Sequence, residues 1–351
     1  MKRPRNSPSE PDVKPTEKIR IEEMKKRNEE KRRGEKEEPE PVLTELRSFF
    51  ESNKQFRKEE EKNQTDNAVN TYGVSKAEIK ELDLSSGKLG GDAGIDIILE
   101  YEIPNLEFLC LENNTDLSEK GVRLLVEKSN WPNFTKLSLS GTRIGDNGAK
   151  ALAKNNSWIN LKELFLNNIK MGALGAAALA NRSWVNLQRL DLGLNHIGNE
   201  GATALANNSS WVKLAELSLQ QNDISAEGAT ALAKNSSWVN LTSLNLSVCE
   251  IGVEGIAALA QNESWTSLKE LDLSFSKMDA KGAAALAQNK SWVNLTKLDL
   301  SYNDLGDKGV VELVKNTSWV KMAFINLRVN GVGLDGVKKI RKKWPDSQLH
   351  L

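Results

Sequence analysis

The residues of this 351-residue chain that could carry chemistry are two histidines, two cysteines and a set of carboxylates. His196 lies in a turn-like segment and His350 near the last residue, and neither has a cysteine at the spacing of a metal site. The glycine-rich stretch SSGKLGG at 85–91 lacks the spacing of a phosphate-binding loop. No histidine is placed to activate a serine as a nucleophile. We therefore predict a non-enzymatic protein with no catalytic residue, no metal site and no cofactor.

Four aspartates share the middle position of an L-x-L triplet: Asp83, Asp191, Asp272 and Asp299. If the triplets are neighbouring strands, Asp272 and Asp299 lie about 5 Å apart and could form a carboxyl pair with a raised pKa. An acidic stripe that recognises a partner explains the same pattern without catalysis. We favour this second interpretation.

The nine tryptophans of the chain define an internal repeat. They lie at positions 131, 158, 184, 211, 238, 265, 292, 319 and 344, at intervals of 25 to 27 residues. An apolar pattern L-x-x-L-x-L begins three residues after each of the first eight, and two earlier copies bring the number of units to ten. The units open at Ile79, Leu106, Phe134, Leu161, Leu187, Leu214, Leu241, Leu268, Leu295 and Met322. Because ligand-binding aromatics seldom recur at every turn of a scaffold, we predict that the tryptophans are buried and structural.

Each unit changes its hydrophobic period along its length. The L-x-L alternation predicts a strand, a segment such as NHIGNEG predicts a turn, and GATALA predicts a short helix. Asparagine and serine recur at the end of each helix, where turn and cap residues belong. A strand, a turn and a helix in 27 residues predict an α/β solenoid over residues 75–351, curved, with a parallel sheet on the concave face and helices on the convex face.

The segments LDLSYNDLGDKG and LNLSVCEIGVEGIAALAQN resemble the ribonuclease-inhibitor type of leucine-rich repeat, and the GAxALA block is similar to the GALA-type repeats of bacterial effector proteins. The resemblance implies that an asparagine or cysteine three residues after L-x-L binds the backbone of the turn. Asn222 and Asn303 occupy this position, and Cys249 would be a small buried substitute. Cys110 lies between two leucines of a strand, so we expect it at the concave surface, accessible to solvent.

Residues 1–66 differ from the repeats because they are dense in both charges and poor in apolar side chains. We predict a charged, largely disordered arm with a helix at 41–62. Over the whole chain 48 basic residues balance 48 acidic ones, so no net charge favours nucleic acid or membrane. The first 20 residues lack the apolar core of a secretory signal, and the sequence contains no run of about 18 apolar residues. We therefore expect a cytoplasmic monomer, or a protein delivered into a host cell if it is a bacterial effector.

The variable positions of the predicted concave face are the best candidates for a protein-binding site. They combine acidic side chains with apolar ones that have no intrinsic reason to face water. The candidates are Glu163, Phe165, Asp191, Leu194, Glu216, Val248, Asp272, Phe275, Asp299 and Tyr302. We predict a scaffold that binds a protein partner, most strongly around Asp272, Phe275, Asp299 and Tyr302. The resemblance also implies two other functions, that of a Ran-type GTPase-activating protein and that of an effector acting as a ubiquitin-ligase adaptor.

Overall fold

A computed structural model of the chain describes Ser48, residues 79–101 and residues 103–351. Within these residues eleven parallel strands form one open sheet in which each strand pairs with the next along the chain. The strands are β1 (Glu81–Asp83), β2 (Phe108–Cys110), β3 (Lys136–Ser138), β4 (Glu163–Phe165), β5 (Arg189–Asp191), β6 (Glu216–Ser218), β7 (Ser243–Asn245), β8 (Glu270–Asp272), β9 (Lys297–Asp299), β10 (Phe324–Asn326) and β11 (Gln348–His350). The predicted curved solenoid is confirmed.

A helix follows each of the first ten strands, and neighbouring helices pack against each other. The helices are α1 (Gly91–Glu100), α2 (Glu119–Lys128), α3 (Gly145–Leu152), α4 (Ala173–Ala180), α5 (Gly198–Ala206), α6 (Ala226–Ala233), α7 (Gly252–Ala260), α8 (Ala280–Leu286), α9 (Gly306–Leu313) and α10 (Leu334–Lys343). Two glycines illustrate the tight entry into a helix and the close packing of neighbouring helices. Gly198 begins α5 with φ +61, a conformation that side chains disfavour, and a Cβ on Gly255 would come within 3.0 Å of the Ala226 backbone.

The core lies between the sheet and the helices. The central residue of each three-residue strand, a leucine or in β10 an isoleucine, points into it, while the two flanking strand residues point to the other face of the sheet. All nine tryptophans are buried in this core. Neighbouring indole rings stack with centroids 6.4 to 6.5 Å apart in four pairs. Burial of one indole stabilises the fold by about 2–3 kcal/mol. Because all nine tryptophans are buried, their predicted structural role is confirmed.

A second repeated contact involves a buried asparagine three residues before the tryptophan. In the unit of Trp238, Asn235 donates from Nδ2 to the carbonyl oxygens of Ala206 (2.7 Å) and Asn208 (3.0 Å) in the preceding unit. Its Oδ1 accepts from the backbone N–H groups of Ser237 and Trp238. Each such asparagine therefore joins two units through backbone groups that would otherwise be buried without partners.

The strand β11 was not predicted. Three residues after Trp344 the chain has Ser347, where the other units have an apolar residue. The spacing from the tryptophan to the strand is also one residue shorter. Leu349 nevertheless pairs with Ile325 in register. The predicted arm at 1–66 and its helix at 41–62 lie outside the described residues, apart from Ser48. No helix of the described residues is long and apolar enough to cross a membrane.

Candidate functional site

The strongest candidate site is an exposed aromatic pair in the turns that follow β8 and β9. The rings of Phe275 and Tyr302 stack almost in parallel, with centroids 4.1 Å apart and planes inclined by 10°. About half of each side chain is exposed, 47% for Phe275 and 48% for Tyr302. Val248 occupies the same position in the preceding unit and lines one groove with both rings. We call this surface the aromatic groove.

The aromatic groove is built on backbone that bulky residues rarely adopt. Val248, Phe275 and Tyr302 have φ values of +55, +53 and +56. A left-handed conformation costs an ordinary side chain about 1–2 kcal/mol, and for a β-branched residue it is an outlier. Asn168 holds the equivalent position in an earlier unit with φ +52, and asparagine tolerates this conformation better. The exposed apolar residues of the groove are thus kept despite an energetic cost.

Charged side chains surround the apolar surface of the groove. Asp223, Glu250 and Asp304 line it together with Lys277, so it carries three carboxylates against one ammonium group. Lys277 binds Glu250 at 2.6 Å, and Asp223 contacts His196 at 3.1 Å. These residues share one position of the repeat, directly after the asparagine position. Sequence analysis missed them, although the recurrence of charge at that position was a usable signal.

Asp272 and Asp299 lie side by side on neighbouring strands, as predicted. Oδ1 of Asp272 accepts from the N–H (2.9 Å) and the hydroxyl (2.7 Å) of Ser274, and Asp299 binds Ser301 in the same way. Burial raises the pKa of the Asp272 carboxyl, and the charge of Asp299 adds a smaller effect in the same direction. The paired hydrogen bonds hold the turn that presents Phe275, which gives the carboxylates a structural role there.

The remaining predicted residues lie on β4 to β6 or in the turn after β5, away from the aromatic groove. Glu163 pairs with Lys136 at 3.7 Å, and Glu216 pairs with Arg189. The ring of Phe165 lies between these two cations, 5.4 Å from Lys136 Nζ and 5.7 Å from the Arg189 guanidinium carbon. These four charges on this part of the sheet are therefore already matched within the chain.

Asp191 and Leu194 belong to one turn. Oδ1 of Asp191 accepts from the N–H of Gly193 at 3.0 Å, and Leu194 is 40% exposed with φ +57. Leu194 thus repeats the conformation of Phe275 without an aromatic neighbour.

The expectation that Cys110 is accessible was wrong. Its side chain is only 7% exposed, because it is short and lies between Asp83 and Ser138 of the adjacent strands. Burial also raises the pKa of the Cys110 thiol, which lowers its reactivity. No group of three or more His, Cys, Asp or Glu side chains in the described part of the chain could hold a metal ion.

Six segments of the chain match a model of the leucine rich repeat family, at residues 132–153, 185–206, 213–233, 239–260, 266–287 and 293–314. These segments coincide with six units of the sheet and its helices, of which the last five are successive. The described domain is a leucine-rich repeat solenoid.

Two solved structures illustrate the likeness of fold. One is the crystal structure of a Rad7 and Elc1 complex in yeast, with a TM-score of 0.48, 15% sequence identity, and coverage of 96% of this chain and 98% of that chain. The other is an internalin (inlF) from Listeria monocytogenes, with a TM-score of 0.44, 18% identity, and coverage of 89% and 95%. A search of curated protein sequences found no match.

The asparagine position of the leucine-rich repeats behaves as the resemblance implied. Nδ2 of Asn222 donates to the carbonyl oxygens of Leu192 (2.8 Å) and Leu219 (3.1 Å). Cys249 replaces it in the next unit, where it is fully buried and its thiol contacts the Leu219 carbonyl at 3.5 Å. Burial raises the pKa of this thiol as well. Both residues hold the turns that carry the exposed side chains beside them.

Proposed function

We propose that this leucine-rich repeat domain is a non-enzymatic scaffold that binds a protein partner through its concave face, with the aromatic groove as the main contact. The stacked pair of Phe275 and Tyr302 carries the proposal. Exposed aromatic side chains are typical of the residues that dominate binding energy in protein interfaces. The left-handed backbone beneath them adds support, since strain that is retained at an exposed site favours a functional reason for the side chain.

The charge of the groove indicates the chemistry of the partner. Asp223 and Asp304 flank the apolar surface, while Glu250 is already paired with Lys277. A partner that places an apolar side chain against the stacked rings and a lysine or arginine beside these aspartates would match both features. The other predicted residues would form a broader and weaker part of the same concave contact; they are Glu163, Phe165, Asp191, Leu194 and Glu216.

A double substitution tests the proposal. The full chain would be immobilised, and bound proteins from lysate quantified by mass spectrometry for the wild type and for Phe275→Ala with Tyr302→Ala. We expect specifically bound proteins to fall at least about tenfold, as for the loss of two central interface residues. The matched control is Leu174→Ala with Leu334→Ala, which removes two exposed leucines outside the groove.

Three outcomes would contradict the proposal. Unchanged capture by the groove variant would exclude the aromatic pair as the main contact. An equal loss in the control variant would mean that capture depends on general surface apolarity. Faster GTP hydrolysis by a captured GTPase in single-turnover assays would contradict the non-enzymatic part and favour the activator hypothesis.

A further inference from the structure

A second apolar surface runs along the opposite edge of the sheet, where each unit passes from its helix to its strand. The residue directly after each tryptophan is exposed there, and in six units it is a large aliphatic side chain. We call these six residues the valine row: Ile159, Val185, Val212, Val239, Val293 and Val320. Their exposed fractions range from 44% to 77%. Pro132 and Thr266 occupy the same position in two other units.

Local structure does not explain an aliphatic residue at this position. It is the second residue of a four-residue turn, closed in one unit by a hydrogen bond of 3.0 Å from the N–H of Leu241 to the carbonyl of Trp238. Such a position favours proline or small polar residues, and Pro132 shows that this chain accepts a proline there. The repeated choice of valine or isoleucine therefore indicates a use for the exposed surface.

The valine row is rigid before anything binds to it. The buried tryptophans lie directly beside it, and an asparagine in the next unit fixes the backbone of two members. Asn240 donates to the carbonyl of Val212 at 2.7 Å, and Asn186 donates to that of Ile159 at 3.0 Å. A rigid surface loses little conformational entropy on binding, which favours affinity.

The charge along the row is of one sign. The eight five-residue segments that begin at the first eight tryptophans contain four lysines and no carboxylate. The lysines are Lys162, Lys213, Lys269 and Lys321, one in every second unit. Lys213 and Lys321 bind only the neutral side-chain oxygens of Asn186 and Asn294, and none of the four pairs with a carboxylate of the described residues. The row thus suits a ligand that is both apolar and acidic.

The spacing of the units distinguishes an extended ligand from a helical one. In the four stacked pairs, neighbouring indole rings beside the row are 6.4 to 6.5 Å apart. Side chains on one face of an extended strand are about 6.6–6.8 Å apart, whereas an α-helix advances about 5.4 Å per turn. Over the six steps from Ile159 to Val320 the strand drifts by about 1–2 Å and the helix by about 6 Å, so only the strand stays in register with the row.

We propose that the valine row is a second docking surface, which binds an extended acidic segment of a partner protein. The segment would carry aliphatic side chains at every second residue, each against one unit, and aspartate or glutamate between them near the lysines. This surface lies at the edge of the sheet opposite the aromatic groove, so the two sites can be occupied and tested independently.

Fluorescence anisotropy of labelled peptides on the full chain tests this proposal. The probe is a peptide of three Val-Glu-Val-Ser repeats, and its comparison peptide has the same composition with the valines at helical spacing. We expect the alternating peptide to bind at least about tenfold more tightly. Val185→Thr, Val212→Thr and Val239→Thr together should weaken binding at least about tenfold while the unfolding midpoint stays unchanged, since threonine keeps the shape of valine.

Two further variants complete the design. Lys213→Gln with Lys321→Gln should weaken the binding of the alternating peptide. Phe275→Ala with Tyr302→Ala should leave the binding of this peptide unchanged. No binding, equal binding of the two peptides, or no effect of the threonine variant would overturn the proposal. Tighter binding of the helical peptide, or of phosphatidylcholine vesicles containing phosphatidylserine, would overturn it in favour of a helix or a membrane.

Discussion

Asp83 and Asp272 occupy the same position in two repeat units, yet their surroundings move their pKa values in opposite directions. The pKa of Asp83 is lowered, chiefly because the backbone N–H of Ser85 binds its exposed carboxylate at 2.9 Å. The pKa of Asp272 is raised, chiefly because burial disfavours its charged form. The two residues therefore contribute to stability with opposite dependence on pH.

The change Asp272→Asn should raise the free energy of unfolding at about pH 7. Because the folded-state pKa of Asp272 exceeds its ordinary value of 3.8, its contribution to stability is present at low pH and lost as the pH rises through the folded-state pKa. Asparagine avoids this loss and can keep both bonds to Ser274, as Asn245 does with Ser247 in the preceding unit. Urea denaturation from about pH 7 to about pH 4 should show the advantage shrinking with acid.

Asp83→Asn is the matched control. The folded-state pKa of the Asp83 carboxyl lies below 3.8, so the charged form of Asp83 stabilises the fold above pH 3.8. This stabilisation is lost only as the pH falls through the folded-state pKa. The substitution should lower the free energy of unfolding at about pH 7 and at about pH 4 alike. Equal shifts for Asp83→Asn and Asp272→Asn would mean that burial does not separate the two sites.

Some residues of the candidate site could be predicted from the sequence, and others could not. Phe275 and Tyr302 could be singled out because they replace polar residues at one variable position of the repeat. The burial of Cys110 could not, since it depends on the sizes of its neighbours on two other strands. The exposure of the valine row could not be predicted either, because these residues recur at the same interval as the buried tryptophans that they follow.

At the scale of the element, the buried asparagines before the tryptophans hold consecutive helix-to-strand corners together. The sequence indicated turn and cap residues there, which is correct for the contacts of Oδ1 with Ser237 and Trp238. It did not indicate the bonds of Nδ2 to Ala206 and Asn208, because these cross to another unit. Contacts between units depend on how the units stack in the solenoid, so no local sequence pattern predicts them.

The change Asn235→Ala should lower the free energy of unfolding by at least about 2 kcal/mol, measured by chemical denaturation. It leaves two carbonyl oxygens and two N–H groups without their partner, and an unsatisfied buried polar group costs about 1–3 kcal/mol. Asn181→Ala is the control, since Asn181 also precedes a tryptophan by three residues but its side chain is exposed. The control should change stability by less than about 0.5 kcal/mol, and a similar cost at both sites would contradict the role of the cross-unit bonds.

At the scale of the whole molecule, the sequence predicted the architecture from two regular signals, the tryptophan interval and L-x-x-L-x-L. Each of the ten predicted openings is followed by one of the strands β1 to β10, two residues later. The eleventh strand was missed because Ser347 replaces the opening apolar residue, although Trp344 still donates to the carbonyl of Trp319 at 2.8 Å. At the last unit, stacking on its neighbour preserves a strand that the sequence pattern no longer marks.

A solenoid held by contacts between neighbouring units should tolerate the loss of one whole unit. Deletion of residues 212–238 joins Trp211 to Val239 and restores the same Trp-Val sequence with every later unit in phase. We expect a folded domain that unfolds cooperatively in urea, with a slope of the transition reduced by about a tenth, because this slope scales with the surface exposed on unfolding. Deletion of residues 212–225 alone removes β6 but keeps α6, so neighbouring strands cannot pair in register, and the cooperative transition should be lost. If both deletions unfolded the domain to the same extent, stability would reside in contacts specific to that unit and not in the repeated stacking.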